Sequence, residues 1–200
     1  ATLRATRRKL EIPFAAIPLV FGIQQIVEGV LWVSFSFDVP QLNVAMTYLF
    51  SIFSHVLWPI FVPFAIGLLE TAPWRRKVIW GFQGIGLLIG LYLLTMLVEF
   101  PVTAVVATNI VYVSPHFYKI PVMLLYLAAT CVSCFFSSST TIRLFGVLAL
   151  LLFALAYWFF AVALFSVWFF FAALLRAIIF VHFKFGWRLP ARLGSASVYR

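Results

Sequence analysis

Three ionisable side chains, Glu28, His55 and Arg176, fall inside long apolar stretches of this 200-residue chain. A charge exposed to lipid costs on the order of 3 kcal/mol or more, so such groups turn inward and mark a site by default. Gln24 lies one helical turn from Glu28 on the same face, and Gln25 is three residues away, so the three form a polar stripe. At about 1.5 Å per residue, Glu28 is roughly 12 Å from the outer end of its stretch. His55 and Arg176 are each roughly 16 Å from the outer ends of theirs, so all three fit one layer. Pro59 cannot donate the helical hydrogen bond that the carbonyl of His55 would accept, and Pro63 repeats the effect one turn on. A bent helix with open carbonyls and a histidine at the bend suits a ligand or proton site. Plainer readings compete at each position. Glu28 and Arg176 form a buried ion pair that fixes register, Arg176 snorkels to the inner surface, or His55 is a neutral imidazole bonded to Ser54 or Thr130.

Cys131 and Cys134 have the C-x-x-C spacing of redox pairs, and quinone-coupled thiol oxidases of the vitamin K epoxide reductase type place such a pair in a membrane helix. Those enzymes relay electrons between two cysteine pairs, and this chain holds two cysteines in all. A reactive thiolate also needs water or positive charge nearby, which favours reading them as small packing residues. His55, His116 and His182 differ in depth, which argues against a haem held by two histidines. No phosphate loop, zinc-type His-Glu pair or nucleophile elbow is present, so no catalytic or metal set is assigned.

The elements that must carry these residues follow from composition. At 65% hydrophobic the chain has about 130 apolar residues, and a spanning helix takes roughly 20, which is the content of six spans. The expected fold is an all-α membrane bundle in one domain, with spans over 12–37, 44–69, 78–98, 120–138, 144–163 and 166–183. With both ends inside, the inner segments hold 12 of the 14 Lys and Arg residues, the clean asymmetry of the positive-inside rule. Lys119 is outside and Arg176 lies in the last span. The net charge of +9 is thus an orientation signal facing the lipid bilayer, and a nucleic-acid partner is excluded. Trp74, Trp80 and Trp187 fall at the inner interface, Trp158 and Trp168 near the outer one. Gly86-x-x-x-Gly90 allows a close helix approach, within the bundle by default and at a dimer face otherwise. The outer connection 99–119 is nearly uncharged and mostly β-branched or small over Val102 to Val113. It reads as a lid over the outer mouth, with a re-entrant segment or a surface strand pair as alternatives.

The segment Gln24-Gln25-Ile26-Val27-Glu28-Gly29-Val30-Leu31-Trp32 resembles the opening of a family of uncharacterised bacterial multi-pass membrane proteins. The resemblance is specific over the first span and general elsewhere. It implies a bacterial cytoplasmic membrane location and no particular activity. It also implies one more apolar segment upstream, opening on a Cys-Phe-Ser sequence, which would make seven spans with an outer N-terminus.

The leading expectation is an interior polar site of Gln24, Gln25, Glu28, His55 and Arg176 that binds or conducts a small solute, an ion or a proton. The runner-up is a non-catalytic accessory subunit of a larger membrane complex. Its 24 Phe residues would suit contact with a carotenoid, quinone or chlorin, although no cofactor is specified by the sequence. A thiol-quinone enzyme built on Cys131 and Cys134 is third, and the absence of obvious inverted halves weighs against a transporter.

Overall fold

A computed structural model describes residues 9–107, 109–113 and 120–160. A 3₁₀ turn, Lys9–Glu11, leads into helix α1, Ile12–Ser36. Its buried positions Phe14, Ile17, Phe21, Gln24, Glu28 and Leu31 recur every three or four residues, the stripe of one helical face. Asp38 takes a left-handed conformation (φ 51°), and the N–H groups of Phe37 and Val39 close back on the carbonyls of Val33 and Ser34. Proline follows at the first turn of helix α2, Pro40–Leu69.

Helix α2 contains a π-helical turn over Ile52–Leu57, just before Pro59. In that wide register Ser54 would pair its carbonyl with the N–H of residue 59, which proline lacks. The Tyr126 hydroxyl takes its place, donating to Ser54 O at 2.5 Å. The expected bend is therefore a widened turn, and the mismatch at Pro59 falls on Ser54, one residue before the carbonyl expected from α-helical spacing. Helix α3, Pro73–Glu99, packs along α2 through the two glycines of its G-x-x-x-G. A Cβ on Gly86 would run into the Pro59 carbonyl oxygen, and one on Gly90 would lie 3.2 Å from Val56 O. The seam is thus internal to the bundle.

Strands β1, Thr103–Val106, and β2, Ile110–Val113, form an antiparallel hairpin with Ala104 opposite Tyr112. Ala104, Ile110 and Tyr112 face inward while Val105 and Val113 face out. The connection after α3, among its described residues, therefore contains a strand pair. Helix α4, Ile120–Phe135, widens into a second π turn over Ala128–Val132, and helix α5, Thr140–Phe160, follows.

Four helices are long and apolar enough to cross a membrane: Lys9–Ser36, Pro40–Leu69, Pro73–Glu99 and Thr140–Trp158. Ile120–Phe135 is apolar and shorter. Their outer faces carry large apolar side chains such as Leu88 and Val98, which suit lipid and not water. Helices α2, α3 and α5 begin about four or five residues before the stretches read from hydropathy, because their first turns are polar or proline-led. The expected sixth span, 166–183, lies outside the described residues.

Candidate functional site

Gln24 of α1 fixes how the first two spans meet. Its Oε1 accepts a hydrogen bond from the Trp58 indole N–H at 2.6 Å, and Phe21 stacks on the same indole with ring centres 3.8 Å apart. Only an oxygen can accept from that N–H, so the amide's orientation is set, and its Nε2 is buried without a hydrogen-bond partner among the described residues. The two helices run in opposite directions. Glu28, four residues further along α1 than Gln24, therefore lies level with residues 54 and 55, which precede Trp58 by about the same rise. Gln24, Glu28 and His55 are 0%, 6% and 1% exposed. Gln25, half-buried, donates from Nε2 to Glu28 Oε2 at 3.4 Å.

The ring of His55 is held by the widened turn. Its Nδ1 lies 3.1 Å from the Ser51 carbonyl oxygen and 2.8 Å from Ser54 Oγ, which itself donates to Ser51 O at 3.2 Å. A carbonyl only accepts, so Nδ1 carries the hydrogen and Nε2 is the basic nitrogen of the neutral ring. Of the two hydroxyls expected near His55, Ser54 serves it, and Thr130 donates to the Tyr126 carbonyl instead.

Above this layer lies the hairpin. Tyr112 stacks face to face on Phe50 of α2, ring centres 4.3 Å apart, and is buried. Burial first, and the negative charge of Glu28 second, hold its phenol protonated well above the usual range. The Tyr112 hydroxyl and Ser51 Oγ, like Gln24 Nε2, are buried with no hydrogen-bond partner among the described residues.

A second polar cluster ties two of the loops together. Glu70 accepts hydrogen bonds from the Ser138 N–H and hydroxyl, both at 2.6 Å, and from the Ala72 N–H at 3.0 Å. Burial alone would raise its carboxyl, but the bonds from Ser138, Ala72 and Thr71 outweigh it and hold the group below the usual range. Arg75 reaches the carbonyls of Phe136 and Ser137 at 3.3 and 3.2 Å and lies over the Trp74 ring. The connection between α2 and α3 is thereby latched to the one between α4 and α5.

Cys131 and Cys134 are buried on the seam between α4 and α5, where a Cβ on Gly146 would fall 2.9 Å from the Cys131 carbonyl oxygen. Cys131 Sγ is 3.6 Å from Thr130 Oγ1, and Cys134 Sγ donates to Thr130 O at 3.4 Å. Arg176 lies outside the described residues. Among those that are described, no three His, Cys, Asp or Glu side chains gather as a metal site. Sequence reasoning missed Trp58, Ser51, Tyr112, Tyr126 and Glu70. The signal for the aromatic three was an indole N–H or phenol in an apolar run, which needs a partner when buried.

No curated protein and no solved structure matches the chain. A match over residues 1–192 shows that the chain belongs to the Family of unknown function (DUF6629).

Proposed function

We infer that this is a six-span protein of the bacterial cytoplasmic membrane, with both ends of the chain cytoplasmic. In this reading the layer of Gln24, Gln25, Glu28 and His55, joined by Arg176, binds or conducts a small solute, an ion or a proton. One observation carries it: Gln24 of α1 bonds across to Trp58 of α2, and the Glu28 carboxyl and the His55 imidazole are buried on the same two apolar helices. Lipid-facing positions would expose such groups at a cost of several kcal/mol, and a purely packing interface has no need of them. The test is reconstitution of the full chain into liposomes, with a pH dye, a sodium dye and glycerol-driven swelling as readouts. Passage of at least one probe is expected, and Glu28→Gln and His55→Gln are expected to abolish it. If both variants match the parent for every probe, the layer is packing alone.

A second reading rests on a different feature. An apolar groove of about 330 Å³ lies between α3 and α4, lined by Ile85, Leu88, Tyr92, Pro121 and Leu125. It suits the tail of a quinone or carotenoid and supports an accessory subunit of a larger complex. Absorbance of a copurified chromophore tests it, and a colourless protein purified alone counts against it.

A further inference from the structure

The reading of the Gln24–Glu28–His55 layer as a site leaves its cargo open, and three orphaned atoms narrow it. Gln24 Nε2, Ser51 Oγ and the Tyr112 hydroxyl are each buried and unpartnered among the described residues. Gln24 has spent its oxygen on Trp58, so it presents only N–H donors to the layer. A bare cation needs several converging oxygens and is repelled by that amide end. An anion is opposed by the buried Glu28 carboxyl, one helical turn from Gln24. Phe21 stacks on the indole that holds Gln24 and Phe50 stacks on Tyr112 itself, so aromatic bulk adjoins two of the three orphans and disfavours a larger neutral solute. Water satisfies all three orphans, accepting from Gln24 and exchanging donor and acceptor roles with the two hydroxyls.

We propose that this layer carries protons, through water held by Gln24, Ser51 and Tyr112 between Glu28 and His55. The proposal rests on the layer being a site at all. A proton on the Glu28 carboxyl passes to this water, leaving a carboxylate. The water passes its own excess proton to Nε2 of His55, making an imidazolium, and Nε2 then gives that proton to a second water on its far side, which leaves as hydronium and restores the neutral imidazole held at Nδ1 by Ser51 O. Atoms and charge balance at each transfer, and no redox partner is involved.

The experiment uses the full chain in liposomes under an imposed potassium–valinomycin potential, with an internal pH dye, a sodium dye and glycerol swelling read in parallel. Proton entry is expected without sodium or glycerol entry, and slower in D₂O. Tyr112→Phe and Ser51→Ala are expected to reduce it by about tenfold each, the rate equivalent of one hydrogen bond. Both variants remove an orphan and so retain the fold, which thermal unfolding verifies. Proton entry at the parental rate in both would overturn the water relay. Sodium or glycerol entry that depends on Glu28 would overturn proton specificity and leave the site reading intact. No entry of any probe, in parent and variants alike, would overturn both.

Discussion

Two buried carboxylates sit in opposite circumstances. Glu70, just past the end of α2, accepts three hydrogen bonds from Ser138 and Ala72, and its neighbour Arg75 is engaged with two carbonyls. Glu28 accepts from Gln25, and on the elements around it Gln24 Nε2, Ser51 Oγ and the Tyr112 hydroxyl are buried without hydrogen-bond partners among the described residues. A satisfied cluster stabilises the fold and asks for nothing more. An unsatisfied one costs about 1–3 kcal/mol per orphaned group, and a protein that keeps it either holds water or a ligand there or gains function from it. The contrast separates a staple from a site, although both look alike as acidic residues in an apolar chain.

The largest expected effect breaks the frame on which both regions depend. Gly86→Leu drives a side chain into the Pro59 carbonyl, which is backbone and cannot swing aside. A loss of at least about 3 kcal/mol is expected, read as aggregation or a lowered unfolding midpoint in detergent. Next is Glu70→Ala, which removes three hydrogen bonds to a carboxylate and should cost about 2 kcal/mol while leaving permeation untouched. The latch also has a pH signature. Its folded carboxyl titrates below the unfolded one, so its contribution is complete above the ordinary carboxylate range and fades as pH falls through it towards the lowered value. Thermal midpoints of the parent and Glu70→Gln should therefore differ by a constant amount from neutral pH to about 5, and converge below about 4. The smallest effects sharpen the contrast. Ser51→Ala and Tyr112→Phe delete unpartnered hydroxyls, so stability should hold or rise by up to about 1 kcal/mol, the reverse of Glu70→Ala. A marked loss would mean that these hydroxyls have partners after all.

Gln24, Glu28 and His55 were legible because a polar group in an apolar run is conspicuous at any position. Their organisers were not. Trp58 and Tyr112 look like ordinary apolar residues in their own segments, and Trp58 meets Gln24 across 34 residues of chain. The widening of α2 was half legible, since Pro59 announces a missing donor, but the wide register depends on Tyr126, 72 residues on, supplying a hydroxyl. Glu70 beside Arg75, Arg76 and Lys77 reads as the end of a span, and its bond to Ser138 is a tertiary fact. The hairpin escaped a firm reading because both of its faces are apolar, which hides the two-residue period that marks a half-buried strand.

One paired measurement addresses the central claim that the Gln24–Glu28–His55 layer is a site and the Glu70 cluster a staple. Glu28→Gln and Glu70→Gln are compared for proton entry into liposomes and for unfolding midpoint in the same detergent. The account predicts that Glu28→Gln loses proton entry with its midpoint nearly unchanged, whereas Glu70→Gln keeps proton entry and unfolds more readily. Glu28→Gln lowering the midpoint as Glu70→Gln does, with proton entry preserved, would contradict it.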